Sequence, residues 1–311
     1  MKTPAVSPAG GQCVVCGDPL ASRFPDVLDP LTGERFSIHR CVRCGLGHTV
    51  PPPEDPGRYY PPEYYGNRHG ITSRYCASRR LRFTEAAVPG GGRKRLLDIG
   101  CGDGAFLLAA KGAGWEVLGT ERNPRPARAA GLDVEETLDE AGSPESFDCA
   151  TLWHSFEHMP DLRSTLVSVR DLLKPDGKLI VAVPDSGGLQ ASVFRSRWFH
   201  LDVPRHLYHF DAGSLRHCLA SAGFTVMRQW HQEFEYDLLG WSQSALNCIR
   251  HRPNVFFDLL TGRRRDPGAS FPLMDLLLGT ILTALFLPAV AAGTVSGRGG
   301  TLVAVARRNV K

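Results

Sequence analysis

Four cysteines open the chemical reading of this chain. Cys13-Val-Val-Cys16 and Cys41-Val-Arg-Cys44 repeat one knuckle pattern, each followed by glycine. Each short turn offers two thiolates to one ion, and four thiolates close a tetrahedral Zn2+ site with no position left for a substrate, so the metal would be structural. His39 and His48 lie close by in sequence, but four cysteines make them unnecessary, and both are expected at the surface.

A second group is the glycine-rich stretch "LLDIGCGDGAF" (96–106), in which Gly100, Gly102 and Gly104 follow an apolar run directly. Such a turn lets a ligand approach the backbone at the carboxyl edge of a sheet, with a helix N-terminus behind it. Glu121 closes the next apolar run, where a carboxylate can accept both hydroxyls of a ribose. The spacing is G-x-G-x-G rather than the G-x-G-x-x-G of dinucleotide sites, and Asp103 inside the loop would repel a pyrophosphate. A nucleoside ligand carrying positive charge suits it better.

Histidine supplies the third group. "WHSFEHMPD" (153–161) places His154, Glu157 and His158 at i, i+3 and i+4, one face if the segment is helical. That spacing admits a metal triad, an acid/base pair or the polar wall of a larger site. "FRSRWFHLDVPRHLYHF" (194–210) adds His200, Asp202, Arg205, His206 and His209. There Arg205 could clamp a carboxylate or phosphate, with His209 beside it, and His206 could serve as general base near neutral pH. Tyr59, Tyr60, Tyr64 and Tyr65 could wall a substrate site or simply pack as a connector.

These residues need elements to hold them. The pattern gives strands at 95–100, 116–121, 133–136, 147–153, 178–184, 224–230 and 300–308. Helices are expected at 74–87, 104–113, behind Pro124, at 161–173 behind an Asp161 N-cap, and from the Asp211 N-cap to Gly223. Apolar strands alternating with helices make an α/β protein with a mostly parallel sheet covered on both faces. The expected division is a zinc-ribbon-like module (1–50), a Pro/Tyr-rich connector and helix (51–94), a main domain (95–233 plus 298–311) and a helical apolar insertion (234–297).

At this point the chain resembles the class I S-adenosylmethionine-dependent methyltransferases, on the segments "LLDIGCGDGAF", "VLGTERNP", "FDCATLWHSFEHMPD", "LLKPDGKLIVAVPD" and "SAGF" in that order. The resemblance implies a Rossmann-like seven-stranded sheet whose last strand, 300–308, lies antiparallel beside the fifth. It implies that Asp98 and the glycine loop face the methionine part of S-adenosylmethionine and that Glu121 holds the ribose. Thr137 and Leu138 would lie near the adenine, and the backbone at Leu152, Trp153 and His154 would flank the methionine amine. His154, Glu157, His158 and His206 become the catalytic candidates. Arg205, His209, Tyr64 and Tyr65 become the substrate-side candidates. Some ubiquinone-pathway members hold a divalent cation at the segment equivalent to 154–158. Here His154 stands where an acid would be, which disfavours a hard cation.

Composition narrows the field. The 311 residues are 42% hydrophobic and 22% charged, with a net charge of +4 and nine cysteines, four of them in the two pairs. That is a globular chain with reduced thiols, expected in the cytoplasm, and no secretory leader is visible. Residues 1–90 mix 11 Lys/Arg with 8 Asp/Glu and hold no basic run interleaved with aromatics, which speaks against nucleic acid. Leu276–Val295 is twenty residues without a charge, preceded by Arg250, Arg252 and Arg263–Arg265. It reads as an interfacial helix or hairpin on a membrane, as a cover over the substrate site, or as a dimer surface. The expected activity is methyl transfer to a small-molecule, sugar or lipid-linked acceptor, at O or C. An RNA methyltransferase and a non-catalytic cofactor-binding scaffold are the alternatives.

Overall fold

In chain order the elements begin with β1 (Leu20–Leu28), β2 (Arg35–Cys41) and β3 (Gly47–Val50), then α1 (Ser73–Ala87). The computed structural model describes residues 11–60, 72–231, 233–262 and 272–309. The alternating region follows as β4 (Arg95–Ile99), α2 (Ala105–Gly112), β5 (Glu116–Thr120), α3 (Arg125–Ala129), β6 (Val134–Glu135), β7 (Phe147–Trp153), α4 (Leu162–Leu172) and β8 (Leu173–Pro184). Then come α5 (Leu189–Phe194), β9 (Tyr208–His209), α6 (Ala212–Ser221) and β10 (Phe224–Trp230). Four helices, α7 (Phe234–Ile249), α8 (Val255–Thr261), α9 (Pro272–Leu285) and α10 (Leu287–Val295), precede the last strand, β11 (Thr301–Arg308).

Seven strands form the main sheet in the order β10-β11-β8-β7-β4-β5-β6. The pairs among β6, β5, β4, β7 and β8 are parallel, and β11 runs antiparallel to both β8 and β10. This is the expected Rossmann-like sheet with its antiparallel last strand. Central strands are buried on both faces, as their unbroken apolar runs require. α4 shows how sequence sets the packing. Asp161 accepts the Ser164 N–H at 3.0 Å as N-cap, and the i, i+4 stripe of Leu162, Leu166, Val169 and Leu172 is buried. Truncating Leu166 in that stripe would cost about 2–5 kcal/mol.

Two boundaries differ from expectation. The 178–184 strand begins at Leu173, because Leu173 already pairs with Phe147 and "KPDG" bulges out opposite Asp148 before pairing resumes at Lys178. The histidine-rich stretch after β8 is not simple loop but α5, two short 3-10 turns and β9. β9 matters most: it pairs antiparallel with β3 and completes a four-stranded sheet β1-β2-β3-β9. The N-terminal sheet therefore takes its edge strand from the main domain. His48 sits in that joint, buried and edge-on to Tyr208 at 5.4 Å, so the surface expected for it is wrong.

Candidate active site

At the carboxyl edge of the main sheet, β4 ends in the glycine loop. Gly100 has φ +75°, and a Cβ there would lie 2.5 Å from Ser155 Cβ. Ser155 in turn donates to the Ile99 carbonyl at 2.6 Å, clamping the end of β4 to the end of β7. Gly102, at φ +60°, has nothing within 4 Å of its Cβ position and leaves space above the loop. Glu121, just past β5, accepts from the Gly102 N–H at 3.0 Å and so carries the loop itself. Gly104 is a packing position instead: a Cβ would strike Leu132 at 2.3 Å.

A cavity of about 580 Å3 opens over this loop. Asp98, Gly100, Gly102, Glu121, Thr137 and Leu138 line one side. The other side holds Tyr60, Arg80, His154, His158, Arg205 and Tyr236, with Trp153 at the floor. Leu152 is fully buried beneath. Asp98 accepts from Thr151 Oγ1 at 2.6 Å, and its burial pushes the carboxyl up to about 7.

The 154–158 segment is not one helix face. A 3-10 turn covers only Phe156–His158, and His154 precedes it with φ +52°. His154 and His158 therefore take different partners, with Glu157 between them. His154 bonds Glu233 through Nε2, stacks on Tyr236 at 4.0 Å, and stands 3.8 Å from Glu157 through Nδ1. Burial opposes charge on the His154 ring, but Glu233 and then Glu157 prevail and raise its pKa. His158 turns toward the cavity wall, with Nδ1 2.8 Å from the Arg205 carbonyl and 3.0 Å from the Tyr60 hydroxyl. A carbonyl only accepts, which places the proton on Nδ1. Glu157 is buried behind them. Burial pushes its carboxyl up, yet the His154, His158 and His206 rings outweigh that and hold it at about 2.

The second histidine stretch is mostly structural. Arg205 borders the cavity with its side chain buried, and Asp29 at 2.9 Å and Asp202 at 2.7 Å already meet the charge that a substrate clamp would offer. His206 lies behind the wall: Nδ1 donates to the His200 carbonyl at 2.9 Å, and Nε2 is 3.8 Å from Glu157. His209 is buried against Thr49 Oγ1 at 3.0 Å in the joint with the N-terminal sheet, away from the cavity. Tyr64 and Tyr65 lie outside the described residues.

A family model described as a methyltransferase domain matches residues 68–229, just over half of the chain. The chain belongs to this methyltransferase family. Among its relatives, the ubiquinone biosynthesis O-methyltransferase of Actinobacillus pleuropneumoniae (serotype 5b, strain L20) is 33% identical over 116 residues, covering 32% of this chain and 50% of the relative. The nocamycin O-methyltransferase of Saccharothrix syringae is 26% identical over 250 residues, covering 66% of this chain and 87% of the relative. The chain thus spans about half the length of the ubiquinone-pathway relatives it matches. Among solved structures, a SAM-dependent methyltransferase from Archaeoglobus fulgidus aligns with TM-score 0.48 at 18% identity, covering 76% of this chain and 94% of that one.

Within this methyltransferase, a buried ionic cluster supports the His154 wall, and sequence reasoning missed it. Glu233 is fully buried and meets Arg79 at 2.6 Å, Arg80 at 3.4 Å and His154. Arg80 also lies over the Trp153 ring at 5.2 Å. Arg79 and Arg80 come from α1, Glu233 is the N-cap of α7 and Tyr236 lies in its first turn. Each looks like ordinary surface polarity in its own segment, and only the fold brings them together.

Among the described residues, two side-chain groups could hold a metal. Cys13, Cys16, Cys41 and Cys44 converge, with Sγ–Sγ separations of 3.6 Å (13 to 44) and 3.4 Å (16 to 41). Tetrahedral Zn–S bonds of about 2.3 Å require sulfurs about 3.8 Å apart, so the cluster fits zinc after slight expansion. Glu157, His158 and His206 also bring one ligand atom each within 4.8 Å of one another.

Proposed function

We propose that this methyltransferase binds S-adenosylmethionine over the glycine loop and methylates a small organic acceptor bound on the Tyr60–His158 side. The observation carrying this reading is one cavity with two unlike walls: a glycine loop with two acidic side chains facing a phenol–imidazole pair. The fit rests on the chain's own shape. Gly102 leaves open space where a side chain would intrude, Glu121 stands at the position for a ribose, and Asp98 offers a carboxylate toward a cationic ligand.

When bound, the cofactor supplies a methyl group already activated by its sulfonium. What the protein must add is alignment, exclusion of water and removal of a proton. Trp153 and Tyr236 supply apolar surface at the junction, and His154, fixed by Glu233 and stacked on Tyr236, sets the wall between the two halves. His158 is the proton acceptor in this reading. Its Nδ1 proton is anchored on the Arg205 carbonyl, which leaves Nε2 basic in the neutral ring. Glu157 and His206 order that segment from behind. The cysteine cluster takes Zn2+ in a structural role, fastening the N-terminal sheet.

The small-molecule O-methyltransferase names of the relatives support an acceptor of that class, with an oxygen nucleophile. Calorimetric titration with S-adenosylhomocysteine tests the cofactor half. Incubating the protein with methyl-labelled cofactor and a small-molecule extract tests the acceptor half. Label is expected in the organic fraction, and its appearance only in RNA or protein would refute the acceptor assignment. His158→Asn should lower kcat far more than cofactor affinity; unchanged turnover would remove it as the base.

A further inference from the structure

The helices inserted between β10 and β11 lie outside the family match, and of them α7 alone reaches the cavity, through Tyr236. α9 and α10 pack on α7 and α8 along one stripe only. Gly279 meets the Phe256 ring, where a Cβ would lie 2.3 Å from it, and Phe286 stacks on Trp241 at 5.1 Å. Asp275, Gly279, Val290 and Gly293 are the buried positions. The opposite face is apolar and open: Leu277 is 52%, Ile281 55% and Leu285 67% exposed, continued by Leu273, Met274 and Leu287. Scattered exposed apolar residues need no explanation, but a contiguous face of this extent does.

We infer that this face is a docking surface for an anionic lipid bilayer, on which the protein lies without crossing. Three observations carry the assignment. First, the polar groups of the pair are satisfied without water. Thr280, Thr283 and Thr294 each donate to the carbonyl four residues back, at 2.8, 2.7 and 3.0 Å, and the one acid, Asp275, is buried against Arg250 at 2.6 Å. A protein partner would more commonly be met by a polar rim, whereas hydrocarbon demands internal satisfaction of this kind.

Second, the charge around the face is one-sided. The described elements packed about it (187–201, 234–262 and 272–299) hold five arginines against four acids, but none of the acids (Glu235, Asp237, Asp258 and Asp275) is exposed, whereas Arg195, Arg197, Arg252 and Arg298 are. Arg195 and Arg298 are exposed at its border. Such a rim suits phosphate headgroups, with the apolar residues entering the acyl boundary between them.

Third, the topology forbids a single crossing. β10 and β11 are paired neighbours, Trp230 opposite Val303, so the insertion leaves and rejoins one sheet. Among the described residues no single helix is long and apolar enough to span a membrane, and α9 and α10 bend by 42° at their break. α9 is about 21 Å long and α10 about 14 Å. Held by one stripe against α7 and α8, they lie along the protein surface. The membrane assignment does not depend on the methyl-transfer reading.

Vesicle flotation of the full chain tests it, with phosphatidylcholine alone and with phosphatidylglycerol added at about three parts in ten. The protein should float with the mixed vesicles, and binding should weaken in high salt. The triple variant L277E/I281E/L285E should lose binding by about tenfold or more. Its thermal melt and its affinity for S-adenosylhomocysteine should match the parent, because all three side chains point away from the fold. Should the triple variant melt early, L285Q alone is expected to reduce flotation measurably with an unchanged melt. Equal flotation of parent and a folded variant overturns the proposal, as does absence of flotation at low salt. A parent that light scattering shows to be dimeric, a folded variant that is monomeric, and no vesicle binding by either would assign the face to self-association and equally overturn it.

Discussion

Glu233→Gln is the most direct probe of how the site is held. The change conserves shape and removes one buried negative charge facing Arg79 at 2.6 Å, Arg80 at 3.4 Å and the His154 imidazole. With an effective dielectric near 20, the two arginine contacts alone are worth about 6 and about 5 kcal/mol of Coulomb energy. Most of that offsets the desolvation of the ions, so the net cost of breaking the cluster is the figure for a buried pair that loses one partner, about 3–5 kcal/mol. Both guanidiniums meet the same carboxylate oxygen, so a Gln carbonyl can stay there, but its NH2 then faces His154 Nε2 where the second oxygen stood. At about 2 °C per kcal/mol for a chain of this size, the midpoint should fall by about 6–10 °C.

The sign with pH is fixed as well. Burial pushes the Glu233 carboxyl up, but Arg80 and then His154 outweigh it and hold its pKa below the ordinary carboxylate range. Its contribution is therefore full above the unfolded value of about 4.5 and fades as pH falls through and below it. Melts of parent and variant from pH 8 down to about pH 3 give the measurement. A loss under about 1 kcal/mol at pH 7.5, or a gap that widens on acidification, would refute the reasoning.

Other consequences can be checked in parallel. Asp98→Asn should stabilise the ligand-free protein above pH 7 by up to about 4 kcal/mol while weakening cofactor binding. Because the folded Asp98 pKa is raised to about 7, wild-type stability is lost as pH rises from about 4 through 7, and the variant's advantage should grow over that window in pH-dependent melts. Glu121→Ala should lower affinity for S-adenosylhomocysteine about 10- to 100-fold in calorimetry, through the lost charged hydrogen bonds. Gly100→Ala forces a Cβ to within 2.5 Å of Ser155 at φ +75°, and should cost about 2–4 kcal/mol in denaturant titration together with cofactor binding. Metal analysis of the parent should find about one zinc per chain, and Cys41→Ser should lose it and melt earlier.

What the sequence made legible follows from where the determining forces act. The strand–loop–helix around Gly100, the Asp161 and Asp211 caps and the apolar stripe of α4 are set by neighbours within a few residues, so local pattern reveals them. The cavity's loop side was legible for the same reason: Asp98, Gly102, Glu121, Thr137 and Leu138 all line it. The opposite wall was legible only in part: Tyr60, His154 and His158 line it, but Arg80 and Tyr236 were not foreseen. It is built from α1, the 154–158 turn and the head of α7, and nothing local tells Arg80 that Glu233 awaits it 153 residues away. The histidine-rich stretch misled for a related reason. His209 and Arg205 look like site residues by type, yet their partners, Thr49 and Asp29, come from the N-terminal sheet.

That joint has a mechanical consequence. The segment 205–209 is shared property. Leu207 donates to the Glu157 carbonyl at 2.9 Å on one side and accepts from the Thr49 N–H at 3.0 Å on the other, while Tyr208 and His209 ladder with β3. Cutting the chain after residue 50 would therefore not release an appendage. It would strip one edge from the backing of the His158 wall, leaving Arg205 without Asp29. The cysteine cluster and the His158 wall sit at two ends of one hydrogen-bonded ribbon, so strain introduced at either end has a short route to the other through the β2–β3–β9 ladder.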